Sequence, residues 1–464
     1  MSQVETPQDA DKQSANGAAN DDMDPAALKQ IVRTLRGELN DALSRMTEQG
    51  EEFDSPEAQK QWAQTHLLQS LRKENERRLS RNEAPLTQGK QRKLIRYVMD
   101  LTYGLGPLEQ LLRNEDVTDV HVMGHDHVML RTRDGRWRKS KRAAAESDQA
   151  LIALVQRVAS RQGGTIERRW DQLNPELNMQ LDGGERLFAV RDVVDRPQLV
   201  IRKHDDRLNT LDALAEQGML DEYTKHFLES AVRGRCNIIL IGATGSGKTT
   251  VLRSMCSLMP PDEHKVTVEE AKEIGLGRDK HHHPLVREME VKPPNLQGEG
   301  GVGAQQLVRM SLRMDPDRII LGEVRGGEAL QMLTAMTQGQ DGSICTMHGY
   351  NAKIAFARLK LYVKFGGLPV PDEDIAALIS DAIDFVVFIR KRPNPNGKGY
   401  KRVIEEIVEA RGVNETNVAS NEIARYNPDR DRVEGLTKPS AETISKLTAG
   451  GFNFKYWRQC LRSD

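Results

Sequence analysis

The sequence predicts an α/β protein: a parallel sheet with helices on its faces, preceded by a small α+β domain and an N-terminal helical segment. Three observations predict this. Short, wholly apolar runs recur between Asn237 and Ile389 and alternate with stretches of helical periodicity, the pattern of buried parallel strands and their crossover helices. Between Gly104 and Lys203 the period shortens to alternation, broken by turn residues, as in antiparallel hairpins. Before Gly104 the apolar residues return every three or four positions, as on one face of a helix.

Composition bounds the possibilities. The 464 residues suffice for two or three domains; 38% are hydrophobic and 29% charged. A net charge of -1 gives no general attraction to nucleic acid or to an anionic bilayer. Cys236, Cys256, Cys345 and Cys460 are far apart and form no CxxC pair, so they read as reduced, mostly buried thiols rather than zinc or redox motifs. The longest apolar runs, at 238–241 and 385–389, fall far short of the ~20 residues that span a bilayer. The opening residues lack the apolar core of a secretory signal. The chain is therefore expected to be cytoplasmic and to reach a membrane only by docking.

The elements follow in order. Residues 1–23 carry almost no large apolar group and are expected to be a disordered tail. In the helical segment 24–103, a helix starting at Asp24-Pro25 carries Leu28, Val32, Leu35, Leu39, Leu43 and Met46. A second, from Ser55-Pro56, carries Trp62, Leu67, Leu68 and Leu71. A third, from about Thr87, carries Leu94, Ile95, Val98, Met99 and Leu101 and stops at Gly104. The α+β domain spans 104–203. In it Asp134-Gly135 marks a hairpin, Leu151 to Val158 a helix, and Asp182-Gly183-Gly184 the turn between two further strands. Polar residues 204–209 read as a linker. In 210–410 the predicted strands are 237–241, 265–268, 318–321, 343–347 and 385–389. A strand at 403–408 then leads into a C-terminal extension, 411–464, of Pro- and Asn-rich loops with a short helix at 441–447.

One octet carries chemistry on its own. Gly242-Ala243-Thr244-Gly245-Ser246-Gly247-Lys248-Thr249 matches GxxxxGK[ST] at every fixed position, between a predicted strand and a helix beginning at Thr250. The glycines let backbone N–H groups turn inward around phosphate oxygens, and the helix N-terminus adds its positive dipole end. Lys248 reaches the β- and γ-phosphates, and the Thr249 hydroxyl binds Mg²⁺. ATP and Mg²⁺ are the expected ligands. Hydrolysis needs an acid at a nearby strand end. Glu323, closing the apolar run 318–321, is placed to orient water or to hold Mg²⁺ through water. His281-His282-His283 reads as a solvated loop, because adjacent side chains rarely converge on one ion.

Cys236 to Arg390 resembles the secretion ATPases of type II and type IV systems, and within them the CpaF-like branch that serves tight-adherence (Flp) pili. The octet is the first shared signature. Thr267-Val268-Glu269-Glu270-Ala271-Lys272-Glu273-Ile274 is similar to the family's Asp box, with Glu270 where the family usually has Asp. The run from Leu312 to Leu330, centred on Gly322-Glu323-Val324-Arg325, is similar to its Walker B segment. Asp341 to His348 is similar to its His box. Gly104-Leu105-Gly106-Pro107-Leu108 and Pro293-Pro294-Asn295 are typical of the branch, and the likeness runs from about residue 90 to about 410.

The resemblance implies a RecA-like P-loop NTPase domain over 210–410. It implies that Glu269 and Glu270 hold the Mg²⁺ water shell or the hydrolytic water, that Glu323 is the Walker B acid, and that His348 senses the γ-phosphate. Arg186 and Arg202, in the family's G-x-R and I-R-K patterns, and Arg287 after the Asp box would close the site from the N-terminal domain and a neighbouring subunit. It further implies an ATP-hydrolysing ring of six at the cytoplasmic face of the inner membrane, docked on a platform protein and driving pilus assembly or protein secretion. No nucleic-acid partner is expected. The alternative, a DNA-handling motor of conjugation, predicts a basic channel with stacking aromatics; only 5% of residues are aromatic.

Overall fold

The structure is a computed structural model that describes residues 25–162, 169–203, 210–294, 298–367, 369–394 and 399–455. The expected tail at 1–23, the linker 204–209, Asn295 and Cys460 lie outside the described residues. The chain divides into two compact units: the residues up to Asn114 with Arg142–Val158, and Glu115–Lys141 with the residues from Ala159 onward. The α+β segment expected over 104–203 is thus shared between them.

In the first unit, α1 (Pro25–Glu48), α2 (Pro56–Ser80) and α3 (Gln88–Tyr103) are followed by α4 (Leu108–Leu112) and by most of α5 (Asp148–Gln162). Local chemistry sets two of the starts. The Ser55 hydroxyl accepts from the N–H of Ala58, with Pro56 in the first turn, and the Thr87 hydroxyl accepts from the N–H of Lys90. The three stripes meet in one core of Val32, Leu35, Leu39, Leu67, Leu71, Leu94 and Val98. Leu28 and Leu68, expected in the stripes, are exposed.

The second unit holds two sheets. The smaller is antiparallel throughout: β1 (Val117–Met123), β2 (Val128–Thr132), β3 (Trp137–Lys139), β4 (Glu176–Gln180), β5 (Arg186–Val190) and β6 (Gln198–Arg202), in the order β3-β2-β1-β6-β5-β4. Alternation buries Val120, Val122, Leu187, Ala189, Leu199 and Ile201. Register also aligns a polar row across it. Gln180 stands beside Arg186, Arg186 beside Arg202, Arg202 beside Asp119, and Asp119 beside Arg131.

After α6 (Leu211–Glu216) and α7 (Glu222–Arg233) comes the larger sheet. Its strands are β7 (Ile238–Gly242), β8 (Lys265–Glu269), β9 (Val286–Glu290), β10 (Arg318–Leu321), β11 (Ile344–His348), β12 (Phe385–Pro393), β13 (Tyr400–Asn414), β14 (Asn417–Asn427) and β15 (Arg432–Gly435). The order is β15-β14-β13-β12-β7-β11-β10-β8-β9, parallel from β12 to β9 and antiparallel from β12 to β15. α8 (Lys248–Cys256), α9 (Ala304–Ser311), α10 (Glu328–Thr337), α11 (Ile354–Phe365), α12 (Asp372–Ala382) and α13 (Ala441–Ala449) complete it. β7 is buried on both faces: Ile238 and Leu240 join one apolar cluster, Ile239 and Ile241 the other.

The sheet is therefore mixed, where sequence implied a parallel one. β12 and β13 form a hairpin, and an antiparallel pair needs only a short connection. Residue 410, the expected end of the nucleotide domain, falls inside β13. The expected extension supplies β14 and β15 to the same sheet, and Leu447 of α13 joins the core of Phe227 and Phe385.

Buried polar groups fix the centre. The Asn237 amide donates to the carbonyls of Met336 (3.2 Å) and Ala382 (2.8 Å), and its oxygen accepts from the N–H groups of Gly342 and Ser343. It thereby ties α10, α12 and the turn before β11 to the start of β7. Arg318, almost wholly buried, donates twice to Glu263 (2.5 and 3.0 Å) and once to the Val232 carbonyl (2.8 Å).

Candidate active site

β7 ends in the octet. Gly242 lies so close to the Ile389 carbonyl that a Cβ there would approach it to 2.5 Å. Gly247, at φ 102°, begins α8. Lys248 is buried in the first turn of α8, and Thr249 and Thr250 beside it are half-buried. The Lys248 Nζ donates to the carbonyls of Gly242 (3.1 Å) and Ala243 (3.3 Å). Burial pushes its pKa down, and the Glu323 charge acts in the opposite direction. The buried Ser246 hydroxyl has no partner among the described residues, a polar atom suited to a ligand oxygen.

Parallel pairing delivers the other groups to the same edge. His348 ends β11 level with Gly242, and Glu323 follows β10. The His348 Nδ1 is 3.4 Å from the Lys248 Nζ and its Nε2 is 3.1 Å from the Glu323 Oε1. An ammonium can only donate and a carboxylate only accept, so the partners select the neutral tautomer with the proton on Nε2. Burial, followed by the Lys248 charge, lowers the His348 pKa, in keeping with that form. Thr346 holds the Glu323 strand end in place through its hydroxyl, which donates to the Gly322 carbonyl (2.6 Å).

Glu323 has a second partner that the sequence reading missed. Arg325 donates to the Glu323 Oε2 (2.7 Å) and to the Glu270 Oε2 (2.9 Å), so one guanidinium joins the Walker B acid to the Asp box. These bonds raise its pKa further. Glu328 steadies the Arg325 loop by accepting from the N–H of Gly326 (2.7 Å). The signal was an arginine two positions after a strand-end acid, and it lies inside a segment singled out above.

The two Asp-box acids differ. Glu270 is exposed. Glu269 is buried; its Oε2 accepts from the N–H groups of Glu273 (2.7 Å) and Ile274 (2.9 Å), and its Oε1 has no partner among the described residues. Burial pushes its carboxyl up to about 7. It holds the turn that carries Glu273, and Glu273 pairs with Arg186 (2.6 Å) of the smaller sheet. Gln180 donates to the Lys272 carbonyl in the same turn. The structure thus brings Arg186 to the Asp box. Arg202 is held by Asp119 (2.8 Å) within its own sheet. Arg287 lies exposed on β9, the edge strand four places from β7, and is not brought to the octet. The His281–His283 reading needs correction at one residue: His281 and His282 are exposed, but His283 is buried, and burial lowers its pKa. No cluster able to hold a metal through His, Cys, Asp and Glu alone occurs among the described residues.

A phosphate loop, a strand-end acid and a histidine on adjacent strands form the constellation the sequence predicted. The family described as type II/IV secretion system protein matches residues 104–422. The chain belongs to that family. Among its relatives, a Mycobacterium tuberculosis protein named for conjugal transfer is 36% identical over 273 residues, 57% of this chain and 74% of the relative. The type IV secretion system protein PtlH of Bordetella pertussis is 30% identical over 330 residues, 66% of this chain and 94% of PtlH. The solved VirB11 ATPase of the Brucella suis type IV secretion system is 27% identical and covers 65% of this chain and 92% of its own, at a TM-score of 0.34. As a type II/IV secretion family member the chain is an ATPase, a motor of secretion or pilus assembly. None of the helices among the described residues is long and apolar enough to cross a membrane.

Proposed function

We propose that this chain hydrolyses Mg²⁺-ATP in a homo-hexameric ring at the cytoplasmic face of an inner membrane and drives a docked platform protein, in the manner of the tight-adherence pilus branch. The observation that carries the reading is the unbroken series Lys248, His348, Glu323, Arg325 and Glu270 at one edge of the sheet. The backbone amides from Ala243 to Thr250 and Lys248 cradle the phosphates. Thr249 and Glu323 would hold Mg²⁺, which would neutralise phosphate charge. Glu323 orients the attacking water, and Glu269 and Glu270 order the water around the site. His348, neutral and already bonded to Glu323, donates instead to a γ-phosphate oxygen when one is present and lets go when it leaves. Arg186 and Arg202 supply guanidinium groups from the smaller sheet, and Arg287, on an exposed edge strand, offers one to a neighbouring subunit.

Steady-state phosphate release tests this. We expect Lys248→Ala to lose ATP binding, and Glu323→Gln to keep it while turnover falls by about 100-fold. Equal turnover in wild type and Glu323→Gln would remove the acid from its role.

The name of the mycobacterial relative favours one other reading, a motor of conjugation. Binding of single-stranded DNA that weakens steeply with salt would support it.

A further inference from the structure

β12 and β13 run on past the level of the octet. Ile389 is paired with Gly242, so Lys391, Arg392 and their β13 partners stand beyond the C-terminal end of β7, next to the phosphate loop. Lys391 lies directly across from Arg402. Like charges facing each other on paired strands repel, and sheets normally avoid the arrangement. The neighbours show the ordinary solution. Arg390 and Arg392, on the other face of β12, both pair with Glu405 (3.4 and 2.6 Å), and Lys401 pairs with Asp431 (2.5 Å).

Lys391 and Arg402 have no such acid among the described residues. Lys391 rests over the Tyr400 ring at 4.4 Å. The Arg402 Nε donates to the Gly245 carbonyl (3.2 Å) at the tip of the octet. Its stem lies against Gly247, where a Cβ would meet the Arg402 Cδ at 3.2 Å. Burial lowers the pKa of both, and the positive charge of Arg131, at the end of the polar row, acts in the same direction. Arg131 itself lies over the Trp137 ring at 5.8 Å and stands beside Asp119, which also accepts from Arg202.

We infer that Lys391 and Arg402 form a second anion seat beside the phosphate-binding octet, and that its ligand is the phosphate chain of the nucleotide held there. Two cations face each other on paired strands with no acid between them, and an anion completes the site. Arg402 links this seat to the loop by bonding the Gly245 carbonyl, leaving its two terminal nitrogens for phosphate oxygens. The inference rests on the nucleotide reading above and adds residues that the octet, the Asp box, Walker B and the His box do not contain.

Titration calorimetry of the full chain with Mg²⁺-ATP, Mg²⁺-ADP and adenosine tests it. Lys391→Gln and Arg402→Gln should each weaken ATP and ADP by about tenfold while leaving adenosine unchanged, with a shallower dependence of Kd on salt. Arg402→Lys, which keeps the charge, should recover most of the affinity. Lys391 has no bond to the loop, so its effect cannot come from bracing the loop. The ligand-free melting temperature of Lys391→Gln should equal or exceed that of wild type, because a repulsion has been removed. Unchanged ATP and ADP affinity in both Gln variants would overturn the inference and leave the nucleotide reading standing. Wild type that binds no ATP would overturn both.

Discussion

The two sheets of the second unit use charge in opposite ways. The central parallel strands β7, β8, β10 and β11 are buried on both faces, and Glu269, Glu323 and His348 stand where these strands end. The smaller, antiparallel sheet buries one face and lays its charges in a row across the other, from Gln180 to Arg131. A doubly covered strand has only its tip free for chemistry, whereas a half-covered strand can present a side chain at every second residue. The first arrangement concentrates groups around a single ligand. The second spreads charges over a surface that meets the first at the Asp-box turn.

Variants can break that contrast. The largest effect is expected at the strand ends. Arg325→Ala removes the bridge between Glu323 and Glu270, and phosphate release should fall by about 30-fold with ATP binding kept; Arg325→Lys should recover part of it. Full turnover in Arg325→Ala would mean that the acids need no bridge.

Next comes stability. Asn237→Ala strips a buried amide of its bonds to three elements and leaves two N–H groups and two carbonyls without partners. It should cost about 3 kcal/mol in chemical denaturation. Arg202→Ala removes an exposed guanidinium from the buried Asp119 carboxylate, to which the Thr118 hydroxyl still donates, and should cost about 1 kcal/mol. Equal losses would erase the difference between the sheets.

The last effect depends on pH. Glu269 titrates near 7 in the folded chain and near the ordinary 4.5 when unfolded. The folded state therefore holds the extra proton between these values, and stability declines as pH rises through that window before levelling off above about 7. Glu269→Gln has no such proton. Its stability relative to wild type should climb by about 1.4 kcal/mol per pH unit from 4.5 to 7 and then stay flat. A constant difference across that range would place the Glu269 carboxyl in a wetter setting.

Much of the site was legible because it is contiguous. The octet needs only eight neighbouring residues, and Glu323 declares itself as an acid closing an apolar run. The bridge from Arg325 to Glu270 was not legible, because it depends on β10 lying beside β8 with Leu321 level with Val268. No local pattern specifies that pairing. The row from Gln180 to Arg131 needs the register of five strands at once. β13 was underestimated for a different reason. Its outer half carries charges and polar groups on a sheet edge, which reads like a loop until the partner strand is known. Arg287 shows the reverse error of distance: it follows the Asp box closely in sequence, yet a parallel strand carries it back to the level of Val266, away from the catalytic edge.

β13 has a mechanical consequence. It is a single strand of 15 residues, about 50 Å at the usual rise, with Arg402 gripping the octet near one end. Register irregularities interrupt it between Ile407 and Val408 and again between Ala410 and Val413. A stiff rod fastened at the fuel site and bent at two fixed places is a lever with built-in joints. It joins the octet, in one continuous strand, to the turn at Asn414 tens of ångströms away.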